Sequence, residues 1–195
     1  MTKPEYFLTI RPLLTAVECG DTAIIKEYDG KVFLGIVDVL GHGAEAYKIA
    51  MTARDFFEKQ HRRSIVDIIS ALHVRIKGSR GAVVALCRVD LRTGALEYTG
   101  VGNITARIFG AVSKRLVPRD GIIGYVMPTP RVERMTLSSG DVVMLYTDGV
   151  QEHFELEDYP KLLHDDAETI GRRVIRQFGK PEDDAACIVL KYRRE

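Results

Sequence analysis

The chain has 195 residues, 46% of them hydrophobic, with 28 Lys and Arg against 27 Asp and Glu for a net charge of +1. This length predicts one domain spanning residues 1–195, with no separate regulatory unit and with core enough to fold without staples. The even charge excludes the concentrated basic excess of a nucleic-acid binder, and no like-charge block reads as a membrane-binding tail.

Tyr6 to Leu14 and Thr22 to Tyr28 read as strands. Asp29-Gly30 reads as a hairpin turn, because glycine accepts φ > 0 without steric cost. Lys31 to Val39 is the returning strand, and its run Val32-Phe33-Leu34-Gly35-Ile36-Val37 is apolar enough to be buried on both faces. After Gly41-His42-Gly43 the period changes to 3.6: Ala46, Ile49, Ala50, Ala53, Phe56 and Phe57 predict an amphipathic helix over Ala44 to Gln60. Ser64 is placed to cap a second helix, with Asp67 closing a loose capping box and Ile65, Ile68, Ile69, Leu72 and Ile76 as its stripe.

Gly78 to Gly81 ends that helix. Ala82 to Val89, Leu96 to Val101 and Thr105 to Phe109 read as strands, the first two joined by a turn over Asp90 to Gly94. Gly121 to Pro130 reads as a loop, Val132 to Leu137 and Val142 to Tyr146 as strands, and Leu156 to Asp166 as an acidic irregular stretch. A helix over Ala167 to Phe178 and a strand over Ala186 to Lys191 complete the chain. Strict βαβ alternation is missing, so the expected class is α+β, with antiparallel sheets stacked face to face and helices on the outsides.

Cys19, Cys87 and Cys187 are odd in number and far apart, without a C-x-x-C pair. They predict buried, reduced thiols rather than a disulfide framework or a zinc site. Met1 to Thr15 is no signal peptide, and no apolar run approaches the roughly 20 residues that span a bilayer. The expected compartment is the cytoplasm. No heptad pattern appears, and a monomer is expected.

Four acidic positions sit at the ends of apolar strands: Asp21, Asp38, Asp148 and the pair Asp183-Asp184. A carboxylate near a core is costly unless it is paired or coordinates a metal, so their convergence suggests a hard cation that prefers oxygen ligands. Taken singly, Asp148-Gly149 can be a turn, Asp38 a helix cap and Asp183 a strand-end cap.

The run Val37-Asp38-Val39-Leu40-Gly41-His42-Gly43, followed by an Ala-rich helix, resembles the Asp-x-x-Gly-His-Gly motif of bacterial phosphatases of the protein phosphatase 2C type, the SpoIIE group. Cys19-Gly20-Asp21, Gly121-Ile122-Ile123-Gly124, Tyr146-Thr147-Asp148-Gly149-Val150-Gln151-Glu152 and Asp183-Asp184 follow in that family's order, so the likeness covers essentially the whole chain. It implies a four-layer α-β-β-α sandwich with two divalent ions, Mn²⁺ or Mg²⁺, at one edge of the sheets. Carried over by position, Asp38 bridges both ions, the Val39 carbonyl adds a ligand, Asp148 and Asp183 hold one ion, and Asp21 faces the other through water. Val39 stands where many relatives have Gly, a change that a backbone ligand tolerates. Ala185-Ala186 departs from the family's C-terminal pattern, which leaves both Asp183 and Asp184 open as the ligand, with Asp183 the preferred one.

The resemblance implies a metal-dependent serine/threonine phosphatase in which such a pair of ions activates a water. The absence of a Cys-x₅-Arg loop agrees with this. His42 suits a general acid for the leaving oxygen, or a residue that orders the helix start. His61, His73, His153 and His164 read as surface or helix residues, and Arg11, Arg54 and Arg80 are phosphate-binding candidates by charge alone. Gly100-Val101-Gly102-Asn103 lacks the third glycine of a dinucleotide site and reads as a turn or bulge. Likeness to the small stand-alone members of the family implies phosphorylated STAS-domain stressosome proteins as substrates and negative feedback on stress signalling. The competing expectations are a non-catalytic binding protein on the same fold and a hydrolase of small phosphate esters.

Overall fold

Alternation along β3 (Lys31–Val39) sets the layering. Val32, Leu34 and Ile36 point into one apolar layer while Phe33, Val37 and Val39 point into another, which is why this strand reads as a continuous apolar run. The computed structural model describes residues 4–13, 18–110, 113–151 and 163–194. Glu152, His153, Leu14 and the acidic stretch as far as residue 162 lie outside the described residues.

Beside β3 stand β2 (Asp21–Tyr28), β4 (Ala82–Asp90), β5 (Ala95–Val101) and β8 (Glu133–Thr136), in the order β2-β3-β4-β5-β8. The second sheet has the order β1-β10-β9-β6-β7, from β1 (Glu5–Arg11), β6 (Thr105–Phe109), β7 (Lys114–Leu116), β9 (Val142–Tyr146) and β10 (Ala185–Lys191). All the named pairings are antiparallel. The inner faces of the two sheets meet in one apolar layer in which Leu34, Ile36, Cys87, Leu145 and Ile188 are fully buried.

Helices α1 (Ala44–Gln60) and α2 (Ile65–Arg75) cover the outer face of the first sheet through Ala46, Ala50, Ala53, Phe57, Ile68 and Leu72. Helix α3 (Ala167–Phe178) covers the second through Ile170, Val174 and Phe178 against Met144, Cys187 and Val189. The result is the expected α-β-β-α sandwich. Ser64 accepts from the Asp67 amide at 3.5 Å and Asp166 accepts from the Thr169 amide at 2.8 Å, so both helices start on side-chain caps. Among the described residues, no helix is long and apolar enough to cross a membrane.

Besides one-residue shifts of several strand ends, three features differ from expectation. The first strand ends at Arg11, because Pro12 has no amide to offer the sheet. Lys114–Leu116 is a strand that its charged, three-residue run conceals. The 121–130 loop carries a bridge of its own, with Ile123 exchanging backbone bonds with Ala82 at 3.0 and 2.8 Å. The three cysteines are buried and unpaired, as expected.

Candidate metal centre

The apolar rows of the intersheet layer run at every second residue, and at one edge of the sandwich each row ends in a polar group. On β3, Val32, Leu34 and Ile36 lead to Asp38; on β2, Ala23 is preceded at the same spacing by Asp21. On β10, Leu190, Ile188 and Ala186 run back to Asp184, and on β9, Val143 and Leu145 run on to Thr147. Antiparallel register sets Asp21 opposite Asp38. Asp21 is 4% exposed, and its Oδ2 accepts from the Thr147 hydroxyl at 2.6 Å, a bond from one sheet to the other.

Asp148 lies one residue past its row, exposed, in a turn closed by the Val150 amide on the Thr147 carbonyl at 3.0 Å. Gly149 is required there by proximity: a Cβ would stand 1.7 Å from the Asp184 carbonyl oxygen. The Lys180 amide donates to the Gly149 carbonyl at 2.7 Å, tying this turn to the segment that carries Asp183. Arg11 donates to the carbonyls of Lys180 and Asp183 in that segment.

The neighbours Asp183 and Asp184 have different surroundings. Asp184 is buried, and its two oxygens accept from the amides of Leu13 and Gly20, each at 2.7 Å. Asp183 is half-buried and faces the field of Asp148.

Asp38, Val39, His42, Asp148 and Asp183 border an open cleft of about 560 Å³, together with Asn103. The Val39 side chain belongs to the outer core, so what this residue turns to the cleft is its main chain. Asp21 is buried beside Asp38 and does not line the cleft. Asp120, Glu182 and Asp184 add to the acidic wall, which includes no Lys or Arg among the described residues. Burial first, then the charges of Asp148 and Asp183, push the Asp38 carboxyl up to about 7. Burial and the charge of Asp38 hold Asp21 well above the usual carboxylate range, and burial with Asp148 raises Asp183.

Among the described residues, no three carboxylates close into a finished cage. Their chemistry nevertheless fits a hard divalent cation: all are oxygen donors, they repel one another, and among the described residues no Lys or Arg in the wall offsets them.

Of the arginines singled out for phosphate, none borders the cleft. Arg11 serves backbone carbonyls, Arg54 is exposed on α1, and Arg80 pairs with Glu45 at 2.7 Å. His73 is on α2, half-buried, and accepts from the Gly124 amide at 3.0 Å, which anchors the 121–130 loop. Asn103, Thr147, Asp120 and Glu182 were not foreseen in the cleft or its supports. Asp120 had a local signal, since it directly precedes the glycine loop.

Residues 28–193 match the family described as Stage II sporulation protein E (SpoIIE). The chain belongs to the SpoIIE family. Its fold is that of the family's protein phosphatase 2C domain: the phosphatase domain of SpoIIE from Bacillus subtilis, with a fragment of its regulatory domain, superposes with a TM-score of 0.82 at 19% identity, over 99% of this chain and 64% of that one. RsbX in complex with magnesium superposes with a TM-score of 0.85 at 18% identity, over 96% and 94% of the two chains. A structure from work on the bacterial stressosome, as a modular system adapted to control secondary messenger signaling, reaches a TM-score of 0.90 and 33% identity. That likeness covers 97% of this SpoIIE-family chain and 100% of the other. No curated protein matches the chain in sequence.

Proposed function

We propose that this SpoIIE-family chain is a metal-dependent protein serine/threonine phosphatase acting in the cytoplasm. Its proposed substrates are phosphorylated STAS-domain proteins of the stressosome, with negative feedback on stress signalling as its role. One observation carries the chemistry: among the described residues the cleft has a wall of carboxylates without Lys or Arg, which would repel a phosphate dianion unless cations stand between them. The substrate class is supported by the 33% identical structure from the stressosome and by the likeness to RsbX.

In this reading Asp38, the Val39 carbonyl, Asp148 and Asp183 hold two ions, Mn²⁺ or Mg²⁺, and Asp21 acts through water. When bound, such ions neutralise a phosphate ester and lower the pKa of a water towards neutrality. Asp184 and Arg11 fix the backbone around Asp183, and Thr147 fixes Asp21. His42, exposed at the rim ahead of α1, gives a proton to the serine or threonine oxygen as its bond to phosphorus breaks. The water oxygen forms the new bond, one water is consumed, and inorganic phosphate leaves without a phosphoenzyme.

The test is hydrolysis of p-nitrophenyl phosphate and of a phosphorylated STAS-domain protein, with Mn²⁺, with EDTA and in Asp38→Ala. Both activities are expected with Mn²⁺ alone and to be lost in the other two arms. Activity that survives chelation or the substitution sinks the metal reading. Turnover of the small ester without the phosphoprotein moves the substrate class to small phosphate esters.

A further inference from the structure

The motif Gly100-Val101-Gly102-Asn103 runs from the end of β5 into the turn by which the chain leaves that sheet for β6 in the other. In the β6–β9 ladder Thr105 stands opposite Tyr146. Continued two residues beyond the strands, the same register sets Asn103 opposite Asp148. The side chains meet: Asn103 Nδ2 donates to Asp148 Oδ2 at 2.9 Å. An ionised carboxylate only accepts, so the nitrogen end of the amide is the end that belongs there.

The turn that presents this amide is fixed on all sides. Val101 and Ile104 are buried in the outer and inner cores. The Gly102 amide donates to the Arg119 carbonyl at 2.8 Å, and the Arg119 amide donates back to Gly100 at 2.9 Å. Gly102 has φ +100°, and a Cβ there would stand 2.0 Å from the Val83 side chain, so the chain reaches this point only as glycine. Asn103 is thus an exposed polar arm on a rigid base.

We propose that Asn103 is a positioning residue for metal binding, holding the Asp148 carboxylate in the orientation that an ion requires. This rests on the metal reading above. Left alone, an exposed aspartate at a turn samples several rotamers, and ordering it on ion binding would weaken the binding. The amide takes up one site on Oδ2, and the carboxylate keeps acceptor capacity for an ion. It does so without charge, whereas a lysine would neutralise Asp148 and compete with the cation. Partners of this kind, one step behind a ligand, change metal affinity by roughly 10- to 100-fold.

The experiment is calorimetric titration of the intact protein with Mn²⁺, alongside thermal melting without metal. Wild type is compared with Asp148→Asn, Asn103→Ala, Asn103→Leu (close in shape but without an N–H) and Asn103→Gln. The expected result is Mn²⁺ affinity lower by roughly tenfold in Asn103→Ala and Asn103→Leu, partly recovered in Asn103→Gln, with metal-free melting unchanged. Affinities within about twofold of wild type in Ala and Leu, while Asp148→Asn is weakened, overturn the role of Asn103 and leave the metal reading standing. Equal losses in all three Asn103 variants with lower metal-free melting also overturn it, since they mark a turn that has lost its shape. No uptake by wild type, or undiminished uptake by Asp148→Asn, removes the metal reading itself.

Discussion

The middle of the intersheet layer and its carboxylate edge are built from the same strand rows, yet they obey opposite rules. In the middle, Leu34, Ile36, Leu145 and Ile188 lose all contact with water and gain from it. Further along the same rows, Asp38, Asp184 and Thr147 are withdrawn from water at a cost. Asp184 and Thr147 recover that cost through hydrogen bonds within the chain. Asp38, Asp148 and Asp183 raise one another's energy, and in the proposed function an ion offsets that cost. The comparison separates what makes the sandwich from what makes the site, and each half can be tested on its own.

The largest effect should come from the edge. Asp38→Asn is expected to lower Mn²⁺-dependent hydrolysis by at least a hundred- to a thousandfold, the scale on which a group that stabilises transition-state charge acts. Circular dichroism should show the fold intact. In the middle, Leu34→Ala should cost about 2–5 kcal/mol in urea unfolding, because it leaves a cavity in a layer that cannot collapse on it. The activity per folded molecule should hold. If Leu34→Ala loses turnover without loss of stability, the two regions are not separable.

Asp184→Asn and Asp183→Asn sharpen the comparison further. Asp184→Asn keeps only one acceptor oxygen for the amides of Leu13 and Gly20 and should lose about 1–3 kcal/mol of stability. Asp183→Asn should leave stability level or raise it, while Mn²⁺ affinity falls. Reversed outcomes would exchange the roles of the two neighbours.

The smallest effect is on pH. The Asp38 carboxyl is raised from 3.8 to about 7, so the metal-free native state holds more protons than the unfolded chain across that window. Its contribution to stability is therefore largest below about pH 4 and declines as pH rises towards about 7. Melting without metal should accordingly depend less on pH in Asp38→Asn than in wild type. Added Mn²⁺ should raise the melting temperature more near pH 7.5 than near pH 5, because at about pH 5 the ion must displace protons.

Period and caps made much of the fold legible: α1 and α3 have the boundaries that their stripes indicate, and α2 begins at its Ser64 cap. The strand-end positions of Asp21 and Asp38 were legible for the same reason, since a period-2 row shows where it stops. Two Asp-Gly pairs mark the limit. Asp29-Gly30 is a hairpin turn with φ of 47° and 70°, as the dipeptide suggests. Asp148-Gly149 looks identical in sequence, but its glycine answers to the Asp184 carbonyl, 35 residues further along the chain. Asn103 and Arg11 were illegible on the same ground, because their partners at Asp148 and Asp183 are defined only by the assembled sheets. The different surroundings of Asp183 and Asp184 depend on the amides of Leu13 and Gly20, which no local pattern reveals.

β10 is the last strand in chain order, yet it lies between β1 and β9. During synthesis, a chain that has emerged only through β9 holds four strands of that sheet, with the space between β1 and β9 unfilled. The segment carrying Asp183 and Asp184 arrives together with the missing strand. Completion of the sheet and completion of the cleft are therefore one event, and a nascent or C-terminally clipped chain can have neither without the other.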